Sequence, residues 1–315
     1  MKILVYIESA NNKIHPVSLE SLVAAQKISE LNGAEVHAVT FNKNSIEALA
    51  NYKLDGLITP DKEELLRYHP LLYLEAFNQL NLKHKPNLFI FGHTYETRDW
   101  VPRLSAKLDV PFISDCININ YSDKITVTRP IYQAKLVQKL SLTAEQAIIS
   151  FQAGSFSADN INQGTCQSNA ETFDLSSVKD TISMGERFQE SSGGVDLSSA
   201  EFIVSVGRGI GKEENIPIAQ NLADKINAQI GSSRPVVDAG WLDHSRQIGS
   251  SGQVVSPKLY FALGISGAIQ HLVGMKGSKQ IIAINKDKNA PIFEIADYAI
   301  VGDLLEIIPK LTDSL

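Results

Sequence analysis

Cysteine is nearly missing from this chain. Cys116 and Cys166 are the only two, far apart and without a CxxC spacing. Neither a disulfide framework nor a zinc site is suggested, and both read as buried, inert thiols. Basic clusters are missing as well: no Lys/Arg run exceeds a pair, and 29 Lys+Arg against 35 Asp+Glu leave a formal net charge of −6. A nucleic-acid surface needs a basic stripe, so no nucleic-acid partner is expected. No apolar stretch is long enough to span a bilayer, and Met1-Lys2-Ile3-Leu4-Val5 enters a strand in place of a signal-peptide n-region and h-region. Membrane insertion and export are therefore not expected. No internal repeat recurs at a fixed period, which excludes a solenoid. Candidate nucleophiles, metal-ligand clusters and carboxylate pairs at acid-base spacing are also missing, so no catalytic residue and no metal ligand is assigned. His93, at the end of an apolar run, reads as a capped loop histidine.

What is present is an ordinary globular composition. At 315 residues, 43% hydrophobic and 20% charged, the chain is long enough for two α/β domains, each with its own core. Residues 2–8 read as a strand, 18–32 as a helix with Ser18 as N-cap and Gly33 as its stop, and 36–40 as a second strand. Residues 61–80 read as a longer helix, 87–92 as a strand, and 98–108 as a helix ended before Pro111. This alternation predicts a mostly parallel sheet with helices on both faces. From 114 to 156 short alternating runs, such as 124–128 and 134–140, predict an antiparallel extension without a cofactor loop. Residues 155–199 are polar and irregular, and Glu190-Ser191-Ser192-Gly193-Gly194 is their most linker-like point. The expected domains are accordingly 1–194 and 195–315.

The last third is dense in polar punctuation. In residues 259–283, an apolar run ends at Gly264-Ile265-Ser266-Gly267 and an amphipathic helix follows. Gly and Ser let backbone approach a ligand, while a helix start aims unpaired N–H groups and a positive dipole end at the turn. A dinucleotide's pyrophosphate suits such a turn without any lysine, although a bare strand-turn-helix unit also uses glycine for geometry alone. Three neighbouring runs end similarly: 202–206 in Gly207-Arg208-Gly209-Ile210-Gly211, 281–284 in Asn285-Lys286-Asp287, and 299–301 in Gly302-Asp303. In open α/β sheets the carboxyl ends of the strands form the ligand crevice. Between these runs lie Gly231-Ser232-Ser233-Arg234-Pro235, Asp238-Ala239-Gly240-Trp241 and Arg246-Gln247-Ile248-Gly249-Ser250-Ser251-Gly252. The third glycine of a GxGxxG fingerprint is replaced by Lys212, a departure from an ordinary nicotinamide site.

Eight short segments in fixed order, GRG, SRP, DAGW, RQIG-SSG, GISGAIQH, AINKD, APIF and ADYAIVGD, run from about 202 to 311. Together they resemble the α subunit of the electron transfer flavoprotein family. Residues 1–150 match more loosely, at Arg98-Asp99, Pro102-Arg103 and 87–92. The resemblance implies two α/β domains, the second a Rossmann-like domain that binds FAD. It places the cofactor against Arg208, Ser233, Arg234, Gln247, Ile248, Gly249, Ser250, Ser251, Ser266, Gly267, Ala268, Ile269, Gln270, His271, Asn285, Asp303 and Leu304.

Within that set it implies particular roles. Arg234 would stack over the isoalloxazine ring and favour added electrons, the alternative being an ion pair with Asp238. A serine hydroxyl of the SSG turn would reach flavin N5, Ser251 by register and Ser250 as the alternative. His271 would sit near the N1/O2 edge as an N–H donor or cation for the negative charge of the reduced ring, with Gln270 contributing through its backbone. Asn285 and Asp303 would contact the adenosine half, and Asp303 also reads as the N-cap of a following helix. Arg208 is either a ligand or a surface arginine. Trp241 and Tyr298 read as core aromatics.

The resemblance further implies a heterodimer with a β subunit that holds AMP or a second flavin. Such a carrier takes electrons from acyl-CoA or related dehydrogenases, as in fatty acid oxidation, and passes them to a membrane-associated quinone oxidoreductase. A bifurcating variant uses the second flavin. The expected place is the bacterial cytoplasm, or an organelle matrix after processing. Two alternatives remain at this level: a nicotinamide-dependent dehydrogenase, and a non-redox module that binds an adenine nucleotide for regulation.

Overall fold

Several strands of the N-terminal half are apolar along their whole length instead of alternately, the pattern of strands covered on both faces. In the computed structural model, which describes residues 1–10, 13–132, 135–179, 181–183, 185 and 197–315, they form a seven-stranded sheet. Its elements are β1 (Lys2–Tyr6), α1 (Pro16–Asn32), β2 (Glu35–Val39), β3 (Gly56–Pro60), α2 (Pro70–His84), β4 (Leu88–Gly92), α3 (Tyr95–Leu108) and β5 (Phe112–Cys116). After these come β6 (Asn118–Tyr121), β7 (Ile125–Ile131), β8 (Leu136–Ser141), β9 (Ala147–Phe151) and β10 (Ser168–Glu171). The strand order is β10-β3-β2-β1-β4-β9-β5, every pairing parallel. Of the antiparallel extension expected over 114–156, β6, β7 and β8 form one, in the order β8-β7-β6, whereas β9 and the end of β5 belong to the parallel sheet.

One face of the large sheet is packed by α1 through Leu22, Ala25 and Ile28. The other is an aromatic layer in which Trp100, fully buried, lies 4.9 Å from Phe77 and 5.7 Å from Tyr6 between ring centroids. Edge-on ring contacts of this kind add to the area term of burial.

The second unit contains β11 (Phe202–Val206), α4 (Ile216–Lys225), β12 (Gln229–Ser232), α5 (Arg234–Asp238), β13 (Leu259–Leu263), α6 (Ile269–Met275), β14 (Ile281–Asn285), β15 (Tyr298–Val301) and α7 (Leu304–Ser314). Its sheet is parallel throughout, in the order β12-β11-β13-β14-β15. The chain steps from β11 outward to β12, then returns to the other side of β11 as β13. That reversal is the topological switch point, the place beyond the carboxyl ends of β11 and β13 where a ligand crevice forms in open α/β sheets. Helices α4 and α7 cover one face through Leu222 and Ile308, while Ile248, Tyr260 and Met275 fill the other.

Several expectations are corrected. The first helix begins at Pro16, with His15 as its N-cap, because proline suits the first helical turn. Ser18 lies inside the helix instead, fully buried, where its hydroxyl accepts the Glu8 amide at 3.0 Å. The single helix expected over 61–80 is split into a 3₁₀ turn at Glu63–Leu66 and a helix starting at Pro70, since the residue before proline is pushed out of the helical region. β3, which begins on a glycine and ends on a proline, was not among the expected strands. The third helix starts at Tyr95, three residues early, through a capping box of Thr94 and Thr97. Tyr298 is 59% exposed on the edge strand and is no core residue, whereas Trp241 packs partly buried against the second core. Cys116 is buried, its thiol pushed up to about 12 by desolvation; Cys166 is only partly buried, and neither is paired.

The chain divides into two compact units, Met1–Ile131 with Leu136–Glu186, and Tyr132–Lys135 with Arg187–Leu315. The boundary expected at Gly194 lies outside the described residues.

Glu20 on α1 supplies a stability prediction. Burial raises its carboxyl to about 7, opposed by the backbone amides of Gly154, Phe156 and Ser155. The native state therefore holds the proton more tightly than the unfolded chain, and stability falls as pH rises from about 4.5 to 7, by about 3 kcal/mol from this group. Denaturant unfolding of Glu20→Gln across that range should show a flatter profile than the parent, and equal slopes would refute the assignment.

Candidate functional site

The crevice of the second unit is built from backbone in close approach. The Gly207 amide donates to the carbonyl of Leu263 at 2.8 Å and the Gly209 amide to that of Gly264 at 3.0 Å, which stitches the two turns together at the switch point. A Cβ on Gly207 would stand 2.3 Å from the Gly264 oxygen, so only glycine permits the approach. Gly267 has φ +88°, and a Cβ there would lie 2.2 Å from the Ile292 nitrogen. The Ser266 carbonyl accepts that same nitrogen at 3.1 Å, which pins the turn from outside.

One consequence concerns the amides of Ser266, Gly267, Ala268, Ile269 and Gln270. Among the described residues none of the five donates to a protein acceptor. Consecutive N–H groups without partners form a concave anion-binding surface, the arrangement a pyrophosphate uses. Serine and glycine at 266 and 267 leave the backbone open.

A second wall is the loop 246–252, which lies on α6. Ile248 is tied to the sheet by its amide, which donates to the Ser232 carbonyl at 2.8 Å, and the Ser250 amide donates to the carbonyl of Gln270 at 2.8 Å. Gly249, at φ +147°, faces Gly274 and the Gln270 carbonyl with no room for a side chain. Gln247 is only 3% exposed. Its side chain is turned inward, with Nε2 3.1 Å from both the carbonyl oxygen and the hydroxyl of Ser251. The Ser250 and Ser251 hydroxyls are on the exposed side.

His271 departs from expectation. It is 5% exposed, with Nδ1 3.0 Å from the Ile248 carbonyl and Nε2 2.9 Å from the Tyr260 hydroxyl. A carbonyl only accepts, so Nδ1 carries the proton and Nε2 accepts from tyrosine. Burial lowers the imidazole to about 4, which keeps it neutral. The expected role of His271 as N–H donor or cation is therefore not what this arrangement offers, because both nitrogens are already engaged inside the protein. Tyr260, fully buried, was missed as one more apolar position of a strand; its polar end was the available signal.

The remaining expected contacts lie around the rim. Ser233 is nearly buried, its amide donating to Val206, and it caps α5. Arg234 and Asp238 are both exposed and meet at 3.3 Å, so the alternative ion pair is the one present. Arg208 is exposed at the turn after β11. Asn285 donates through Nδ2 to the Ile265 carbonyl at 2.9 Å and accepts the Asp287 amide. Asp303 caps α7 through the Leu305 amide and pairs with Lys286 at 2.9 Å, which holds its carboxyl below the usual range. Leu304 is buried beside Gly264. Outside this unit, His93 is tied to the Ser150 hydroxyl at 2.9 Å and lowered to about 4 by burial.

The His271 arrangement has a pH signature. Its folded value near 4 lies below the unfolded ~6.5, so it contributes stability that is complete above pH 6.5 and lost as pH falls toward 4, about 3 kcal/mol in all. Replacement by asparagine, which keeps a donor near the Nδ1 position and does not titrate, should flatten the unfolding profile between pH 6.5 and 4. Imidazole ¹⁵N shifts of the chain should show a neutral Nδ1–H ring at pH 6, and a charged ring there would refute the assignment.

The comparisons with known proteins bear on this geometry directly. Residues 3–178 match the model described as Electron transfer flavoprotein domain, and 196–276 that described as Electron transfer flavoprotein FAD-binding domain. The chain is 37% identical over 317 residues to the electron transfer flavoprotein subunit alpha of Bacillus subtilis, covering 99% of this chain and 96% of that protein. It is 31% identical to Protein FixB of Clostridium saccharobutylicum, covering 98% and 94%. It is 34% identical to the lactate dehydrogenase (NAD(+),ferredoxin) subunit LctC of Acetobacterium woodii, covering 98% of this chain and 75% of that one. The partner-free amides and the glycine turns fit the flavin dinucleotide that the second model names, and the chain belongs to the electron transfer flavoprotein α-subunit family.

Proposed function

We propose that this chain is the FAD-holding subunit of a heterodimeric electron carrier that takes electrons from acyl-CoA or related dehydrogenases and delivers them to a membrane-associated quinone oxidoreductase. The observation that carries the reading is the run of five partner-free amides at 266–270 beside the stitched glycine turns, which suits a pyrophosphate. Bound there, FAD would supply the redox chemistry itself. The chain's own residues hold and bias it: the amides at 266–270 bind its phosphates, Ser251 and Arg234 meet the ring, and Asn285 and Asp303 border the adenosine half. Arg234 is tied only to an exposed carboxylate, so its guanidinium reorients over a ring at little cost.

Among the described residues, no group of three or more His, Cys, Asp or Glu side chains is arranged to hold a metal ion. No helix there is long and apolar enough to cross a membrane. Electrons enter and leave through protein partners in this reading. The β subunit, with its AMP or second flavin, covers the ring edge and completes the carrier. The similarity to the Acetobacterium woodii subunit favours a second reading, in which the heterodimer bifurcates electrons through a second flavin.

Co-expression with the β subunit should give a yellow heterodimer with FAD bound stoichiometrically. A colourless complex that binds AMP would support a regulatory module. Arg234→Ala should keep FAD bound but lower its midpoint potential by tens of millivolts, because a unit charge ~4 Å away contributes ~1 to ~4 kcal/mol between water and an effective dielectric of 20. Redox titration of the loaded mutant is the check, and an unchanged midpoint refutes the role. The flavin should bleach with acyl-CoA only when a matching dehydrogenase is added, at a rate that falls with salt. Bleaching by substrate alone would identify an enzyme, and bleaching by NADH would favour bifurcation.

A further inference from the structure

Two adjacent serines stand at the exposed turn of the 246–252 loop, and their surroundings differ. Among the described residues the Ser250 hydroxyl has no hydrogen-bond partner, and its backbone amide is committed to Gln270. The Ser251 hydroxyl is met by the Gln247 side chain at 3.1 Å.

We propose that Gln247 is a positioning residue for the flavin site, which by donating to the Ser251 hydroxyl leaves that hydroxyl's own proton free to donate outward to the bound cofactor. The proposal rests on the flavin reading above. Its polarity follows from the geometry: the amide group 3.1 Å from the Ser251 carbonyl must be the NH₂, because a carbonyl oxygen only accepts. The same nitrogen lies 3.1 Å from the hydroxyl oxygen, which accepts from it. A hydroxyl that accepts from the protein interior has its one proton left for the exposed side. Gln247 itself is 3% exposed and held on both sides by backbone bonds through Gln253 and His244. The expected direct contact of Gln247 with the cofactor becomes an indirect one. Ser250, without such a partner, has a freely rotating hydroxyl.

Gln247→Glu tests the polarity at nearly constant shape. A carboxylate has no donor, so it takes the Ser251 proton inward. In the FAD-loaded heterodimer, Gln247→Glu and Ser251→Ala should each change the ratio of reduced to oxidised flavin affinity by about tenfold, read as a displacement of about 30 mV in the two-electron midpoint. The double variant should show no further displacement, the signature of two residues acting as one unit. Ser250→Ala should displace the midpoint less than Ser251→Ala does. A Gln247→Glu effect that persists undiminished in the Ser251→Ala background overturns the proposal, as does a midpoint that responds to Ser250 and not to Ser251.

Should Gln247→Glu fail to fold, the side-chain amide of Gln247 in the otherwise unaltered chain decides. Its two N–H resonances should be slow to exchange, and Ser251→Ala should displace only one of them. Fast exchange of both refutes the bond. A parent heterodimer that takes up no FAD would overturn the flavin reading and this proposal with it. Normal FAD uptake with additive or absent midpoint shifts overturns the positioning role alone.

Discussion

The second unit depends on how closely two backbone turns approach each other at the switch point of its sheet. Gly207 and Gly209 donate to the carbonyls at the end of β13, and a single Cβ at Gly207 would collide with the Gly264 oxygen. That contact consumes the donors of the first turn and brings the second to its position. The amides at 266–270 are then left without protein partners among the described residues. A binding surface made of unpaired N–H groups has to be exposed or filled, because burying them without partners is unfavourable. The partner-free amides of the crevice are thus what remains once the rest of the turn's backbone is satisfied.

The second wall of the crevice is held by the opposite device, buried side chains that spend their polarity inward. Gln247 ties the 246–252 loop to itself through Ser251, and His271 reaches the loop from α6 through the carbonyl of Ile248. Tyr260 completes the arrangement by occupying the second imidazole nitrogen. The two bonds of His271 are buried, where a hydrogen bond is stronger and a missing partner more damaging. A loop rich in glycine and serine would otherwise be mobile, and these anchors set the height at which its two hydroxyls stand.

The N-terminal unit shares the parallel α/β construction, but among the described residues no run of five partner-free amides follows any of its strands. Its polar groups there are mutually occupied: Ser18 accepts Glu8, Thr94 caps α3, and His93 meets Ser150. Fold and ligand capacity are separate properties, and the two halves of this chain show it within one molecule.

The sequence by itself determined the alternation of strands and helices, the antiparallel extension and the order of ligand loops in the last third, because these depend on local periodicity and on glycine placement. It also left the right alternatives open at Arg234 and Asp303, whose ion pair and cap are both local, within four residues or at a helix start. Tertiary structure alone decided where Tyr260 and His271 point. Nothing within a few residues of a histidine says whether its polar atoms meet solvent, a ligand or a carbonyl 23 positions away in the chain. The same holds for Ser18, a sound N-cap by local chemistry that is displaced because Pro16 starts the helix earlier and the Glu8 amide claims its hydroxyl. Local propensity fixes which residues are available for a site; the partners supplied by distant strands fix which of them face the ligand and which hold the others in place.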